Sequence, residues 1–209
     1  MKRSFTAIAI ALALVGCNMS MLDIERPLRS ELQSASDDMP VGRVFVVLGE
    51  QLYVMNLARD GDQVRITNVR TLLREDSGGQ ADVATLMTDP ERIFRLAPGG
   101  ENLFVQLTIS AGSEATYSGV FARRRCRGEI CLVEIRDTIA WSAEAAAAQG
   151  YFAGYGGVAC QLSGNAASGC TLNDPAAFAR NAANLDQSVL LRTEPAAFLV
   201  PSARQPTAP

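Results

Sequence analysis

From Arg43 onward the chain is built of short apolar or alternating runs broken by Gly, Pro and Asp, the pattern of antiparallel strands. Residues 44–48 are separated from 52–57 by Gly49 and Glu50, and 52–57 from 64–69 by Asp60 and Gly61. An Asp-Gly step between two such runs predicts a hairpin, because the turn needs a residue at positive φ. Residues 80–88 read as a short helix stopped at Asp89 and Pro90. Strands then resume at 92–96 and 103–109, joined through Pro98, Gly99 and Gly100. The hexapeptide Gly49, Glu50, Gln51, Leu52, Tyr53, Val54 is echoed by Gly100, Glu101, Asn102, Leu103, Phe104, Val105. Two copies are too few for a repeat architecture, and shared hairpin chemistry accounts for the echo.

The next hairpin can be tested against its own register. If Cys126 lies opposite Cys131, Arg124 faces Val133 and Ala122 faces Ile135, while Arg123 faces Glu134. Val120, Ala122, Val133 and Ile135 then share one apolar face, and a cross-strand ion pair sits on the other. Arg124 is the residue that breaks the pattern, unless its long stem reaches past the hairpin tip. Further on, an Ala-rich helix is expected over 139–149 with Gly150 as its stop. A second helix is expected from Asp174 to about Asn184, with Asp174 as cap and Pro175 at the first helical position. A strand around 189–192 would close the sheet. The fold class expected is α+β: antiparallel hairpins in a meander, with two helices toward the C-terminus.

The first sixteen residues have the parts of an export signal: Lys2 and Arg3, an apolar run over 7–15, and Gly16. That run is shorter than the ~20 apolar residues a membrane span needs. Leu14, Val15, Gly16 and Cys17 resemble the lipobox of bacterial lipoproteins. The resemblance covers only this segment. It implies cleavage before Cys17 and acyl chains on that cysteine, so that membrane lipid is the first partner; two or three chains make a stable anchor. Asn18 rather than Asp after the cysteine implies the outer membrane, with the domain facing the periplasm. The organisation expected is a signal peptide over 1–16, a lipidated tether over 17–40 with a short helix around 28–35, one domain over 41–200, and a disordered Pro-containing tail over 201–209.

Loss of the signal removes the only lysine and leaves 17 arginines against 22 acidic residues, a net charge near −5. An acidic chain gives no electrostatic reason to bind nucleic acid. With no histidine and no lysine left, Ser/His/Asp and Cys/His catalysis, Schiff-base chemistry, a P-loop and histidine metal ligation are all excluded. Four cysteines remain besides Cys17. In an oxidising compartment they read as two disulfides with three permitted connectivities, and local pairing of Cys126 with Cys131 and Cys160 with Cys170 is expected. A four-thiolate zinc site would lack its C-x-x-C knuckles. No metal and no cofactor is expected.

Three groups of residues are candidate sites. Arg123, Arg124, Arg125 and Arg127 form the densest cationic cluster and suit phosphates or an acidic partner, against the plainer reading of a solvated hairpin end. Gly154 to Ala159 matches G-x-G-x-x-A, but a helix rather than a strand is expected before it, and the dinucleotide reading is rejected. What remains is a Gly-rich loop carrying Tyr151, Phe152 and Tyr155, an aromatic contact surface or ordinary packing. Asp60 with Asp62 lacks calcium-loop spacing. Glu75 with Asp76, and Glu134 with Asp137, are carboxylate pairs of the sort a glycosidase needs, and arise readily by chance among 22 acidic residues.

These observations point to a non-catalytic, lipid-anchored envelope protein that binds or scaffolds another component, an envelope protein first. A carboxylate-based hydrolase of cell-wall glycan is the alternative from another class. An inhibitor or exclusion lipoprotein is the third.

Overall fold

The computed structural model describes residues 22–48, 51–71, 90–111, 114–136, 157–163, 166–186 and 195–202. In chain order they form β1 (Leu22–Ile24), β2 (Gln33–Ser34), a 3-10 turn (Ser36–Asp38), β3 (Gly42–Leu48), β4 (Gln51–Asp60), β5 (Gln63–Thr71), β6 (Glu91–Arg95), β7 (Asn102–Ala111), β8 (Glu114–Arg127) and β9 (Ile130–Arg136). β10 (Val158–Ser163), β11 (Ala166–Leu172), helix α1 (Pro175–Asp186) and β12 (Pro195–Pro201) follow.

β3 to β9 run as an antiparallel meander, and β12 closes it by pairing with β3 along one edge and β9 along the other. The result is an eight-stranded closed antiparallel barrel. This corrects the α+β expectation: the fold is mainly β, with one helix among the described residues. Each hairpin is visible locally, but closure depends on β12 returning to β3 from about 150 residues further along the chain, and no local pattern encodes that pairing.

Alternation along the strands sorts the side chains. Val44 and Val46, Tyr53, Met55 and Leu57, Leu103, Val105 and Leu107, and Val133 and Ile135 all belong to the core inside the barrel. Arg43, Arg65, Arg92, Arg123 and Arg125 occupy positions of the opposite parity. An apolar inside with a charged outside is the inverse of a barrel that crosses a bilayer. β5 carries a bulge where Asn68 and Val69 together oppose Met55. Asn68 has φ 53°, a left-handed conformation that Asn tolerates, and such a bulge adds bend and twist to a strand of the wall.

A second core lies outside the barrel. Phe94, Phe104 and Phe121 stand in one row across β6, β7 and β8, with Phe94 opposite Phe104 and Phe104 opposite Phe121. Phe178 of α1 covers them, its ring centroid 5.1 Å from that of Phe104. Fully burying each ring contributes on the order of 1.5–3 kcal/mol. β8 is long enough to serve two neighbours on one edge: β1 at 117–119 and β9 at 121–127. β1 then pairs in parallel with β11, which pairs with β10, so the sheet branches over the barrel's flank.

The segment expected as a tether is packed from Leu22 onward. Leu22, Leu28, Ala35 and Met39 are buried, and the helix expected around 28–35 is replaced by irregular chain and β2. Pro27 and the apolar residues spaced along this stretch suit a strap on the sheet better than a helix. The helix capped by Asp174 is present as α1, its cap Oδ1 accepting from the N–H groups of Ala176 (3.1 Å) and Ala177 (3.0 Å). The helices expected over 80–88 and 139–149 and the strand over 189–192 lie outside the described residues; the strand that closes the barrel is β12. β10 and β11 are not among the strands expected from sequence; in β11, Ala, Ser and Gly make up most of the strand and β-propensity is low.

Candidate binding site

The Cys126–Cys131 hairpin has the register its sequence implies. Cys126 faces Cys131, Arg124 faces Val133, Arg123 faces Glu134 and Ala122 faces Ile135, with the disulfide formed at 2.02 Å. Cys160 stands across the ladder from Cys170, and Cys170 is disulfide-bonded. Cys17 lies outside the described residues.

The arginine cluster does not act as one patch. Arg123 donates through Nε and Nη2 to Glu101 at 3.2 and 2.9 Å. Arg124 donates through Nη1 to Asp38 at 2.9 Å, which explains its place on the apolar face: the side chain reaches a buried carboxylate of the 3-10 turn. Arg125 pairs with Glu134 at 3.0 Å, and Glu134 is also held by Arg136. Arg127 alone has no ion-pair partner among the described residues. Alternation sends neighbouring arginines to opposite faces, and Glu101 before β7, Asp38 of the 3-10 turn and Glu134 of β9 neutralise them.

Asp60 and Asp62 are likewise engaged, with Arg65 at 3.2 Å and Arg92 at 2.7 Å. No group of three or more potential metal ligands occurs among the described residues. Tyr151, Phe152, Tyr155, Glu75, Asp76 and Asp137 lie outside the described residues. Gly157, at the edge of the Gly-rich stretch, has φ +82° and a carbonyl that accepts from Asn173 and Asp174 at 2.8 and 3.2 Å. A Cβ there would lie 2.3 Å from the Asp174 carbonyl oxygen, so this glycine serves close approach beneath α1.

Two spaces are candidates for a ligand. The first is inside the barrel, lined by Met39, Met55, Leu57, Ile93, Leu107 and the buried carboxylate of Glu91, which accepts from the Thr108 N–H at 2.8 Å. Its volume is about 60 Å³, well under the ~300–1,000 Å³ of ordinary small-molecule sites. Side chains fill this barrel.

The second lies on the outer wall and measures about 350 Å³. Its floor is a polar row across three strands, with Gln63 opposite Arg92 and Arg92 opposite Gln106, followed one step further by Thr108 opposite Tyr117. The strap after β1 supplies the other wall with Pro27, Leu28 and Arg29. Leu28 is fully buried and its N–H donates to Gln106 Oε1 at 2.7 Å, which gives irregular backbone on a sheet the partner it needs. That bond also fixes the amide: with Oε1 occupied, Nε2 remains as a donor, and no partner for it occurs among the described residues. Arg92 is held in place by Asp62 at 2.7 Å, and the Gln63 side-chain amide, once turned so that its oxygen faces the guanidinium, accepts from Nε at 3.2 Å and Nη2 at 3.1 Å.

Beside the pocket, Glu31 supports the strap. Burial would raise its carboxyl, but hydrogen bonds from the backbone N–H groups of Arg29, Glu31 and Ser30, with the charge of Arg29, outweigh that and hold it below its ordinary 4.5. None of this floor was singled out from sequence. One signal was available: Leu103 to Leu107 is apolar on both faces apart from Gln106, which marks that amide as buried and in need of partners.

The chain matches no family model, no curated protein and no solved structure.

Proposed function

We propose that the chain is a lipid-anchored envelope protein that binds another envelope component and performs no chemistry. Acyl chains on Cys17 would hold it at the outer membrane, and the barrel would present its outer wall to a partner on the periplasmic side. The observation that carries this reading is the lining of the outer pocket, where the ionisable side chains are Arg29, Arg92 and Tyr117. Glycan hydrolysis by carboxylates requires two of them flanking one bond. The three buried carboxylates among the described residues sit apart: Asp38 is held by Arg95 and Arg124, Glu134 by Arg125 and Arg136, and Glu91 faces the barrel interior.

The test is membrane fractionation with cross-linking in intact cells, comparing the native chain with Cys17→Ala. The native chain is expected in the membrane fraction, cross-linked to a specific envelope component that the variant loses. A native chain found in the soluble fraction, or one that cross-links to nothing specific, overturns the reading.

A further inference from the structure

We propose that the outer pocket binds a small anionic sugar, a monosaccharide unit bearing a carboxylate or a phosphate. The inference rests on the reading of the chain as a binding protein and names what the wall of the barrel recognises.

Four groups converge on the pocket with donors that no described residue takes up: the Arg29 guanidinium, the Gln106 amide nitrogen, and the hydroxyls of Thr108 and Tyr117. Gln106 is the most telling of these. Its residue is 1 % exposed, its carbonyl oxygen is committed to Leu28 N–H, and its nitrogen is therefore aimed by the fold rather than free to turn. Arg92 adds a guanidinium whose orientation is set by its ion pair with Asp62. A cluster of donors that includes the Arg29 guanidinium, with the Arg92 guanidinium alongside it already paired to Asp62, complements a ligand made of acceptors and carrying negative charge, and charge-assisted bonds of this type are about twice as strong as neutral ones.

Size and shape select among such ligands. At about 350 Å³ the space exceeds what a bare inorganic anion fills and sits at the lower end of small-molecule sites. The amide and the two hydroxyls match sugar hydroxyls, which both donate and accept. The Tyr117 ring with Pro27 and Pro90 offers apolar surface for the C–H face of a pyranose.

The experiment is calorimetric titration of the full chain in detergent with galacturonate, glucose 6-phosphate, glucose and inorganic phosphate. The charged sugars are expected to bind, and glucose and phosphate at least about ten-fold more weakly. Gln106→Glu keeps an acceptor for Leu28 N–H but turns the aimed donor into an anion, and should abolish binding. Arg29→Ala, at an exposed strap position outside the packed core, should weaken it about ten-fold. Arg127→Ala at the distant hairpin tip should leave it unchanged. No binding of either charged sugar, equal binding of glucose or of phosphate alone, or full binding by Gln106→Glu and Arg29→Ala overturns the proposal. The broader reading is judged separately: a Gln106→Glu chain that still captures its envelope partner, with no sugar bound by the native protein, sinks this inference alone.

Discussion

Two single residues show how the outer layer and the 3-10 turn are held to the barrel. Gly119 lies on the outer face of β8 beneath the ring of Phe104, and a Cβ there would come within 2.2 Å of Phe104 Cζ. Phe104 cannot swing clear, because Phe121 and Phe178 pack on it at 5.3 and 5.1 Å. Gly119→Ala is therefore expected to cost about 1–3 kcal/mol, the range for overpacking a filled core, as read from urea denaturation. An unchanged midpoint would show that the ring moves without cost. Asp38, with a side chain 6 % exposed, accepts from both Arg95 and Arg124. Removing it strands two guanidinium groups, so Asp38→Ala should cost about 2–3 kcal/mol; this is less than for a wholly buried pair because Arg124 is 37 % exposed. Asp62→Ala, at a half-exposed pair, should stay within about 1 kcal/mol. Equal losses in the two variants would refute the distinction. Neither Gly119 nor Asp38 stands out in the sequence, since each matters through a neighbour brought to it by folding.

Among the elements, the disulfide hairpin was the most legible. Its register follows from placing Cys126 opposite Cys131, and the apolar face formed by Val120, Ala122, Val133 and Ile135 is the face that enters the barrel. The bridge closes a short loop, with a sequence separation of 5, so it constrains the unfolded chain little. Cys126→Ser with Cys131→Ser is expected to lose about 2 kcal/mol or less in a melt or urea titration, leaving a folded barrel held by the β8–β9 ladder. Loss of all cooperative unfolding in that variant would mean the bridge is required for the fold. The echo between residues 49–54 and 100–105 is resolved at this scale too. β4 and β7 both begin within it, yet Tyr53 points into the barrel and Phe104 points out. A repeat would keep its faces, and a one-residue difference in phase exchanges them.

For the whole molecule the decisive contact is that of β12. It fills the gap between β3 and β9 and leaves neither with a free edge. A chain ended at residue 194 should expose two long strand edges, and is expected to aggregate or to be digested rapidly by protease where the full chain resists. A truncated chain that remains monomeric and protected would show that the barrel stands without its last strand. The closure also decides where a ligand can go. With eight strands and large inward side chains the interior retains about 60 Å³, so the usable space of about 350 Å³ is on the outside. There the strap after β1 and the polar row of β5 to β7 face each other.

What the sequence determined by itself was local: the hairpins, the disulfide register, the cap at Asp174 and a chain without histidine. Each follows from residues close together in the chain, where turn chemistry, alternation and side-chain type act directly. Tertiary structure alone decided that the meander closes, that Leu22, Ile24 and Leu28 pack on the outer wall while Ala35 and Met39 enter the barrel core, and that the arginines of the cluster are divided among Glu101, Asp38 and Glu134. It also placed Leu28 against Gln106, 78 residues away, and so aimed the one amide donor on which the binding proposal turns. Such pairings form when distant apolar faces are buried together, and no periodicity within a single segment carries that information.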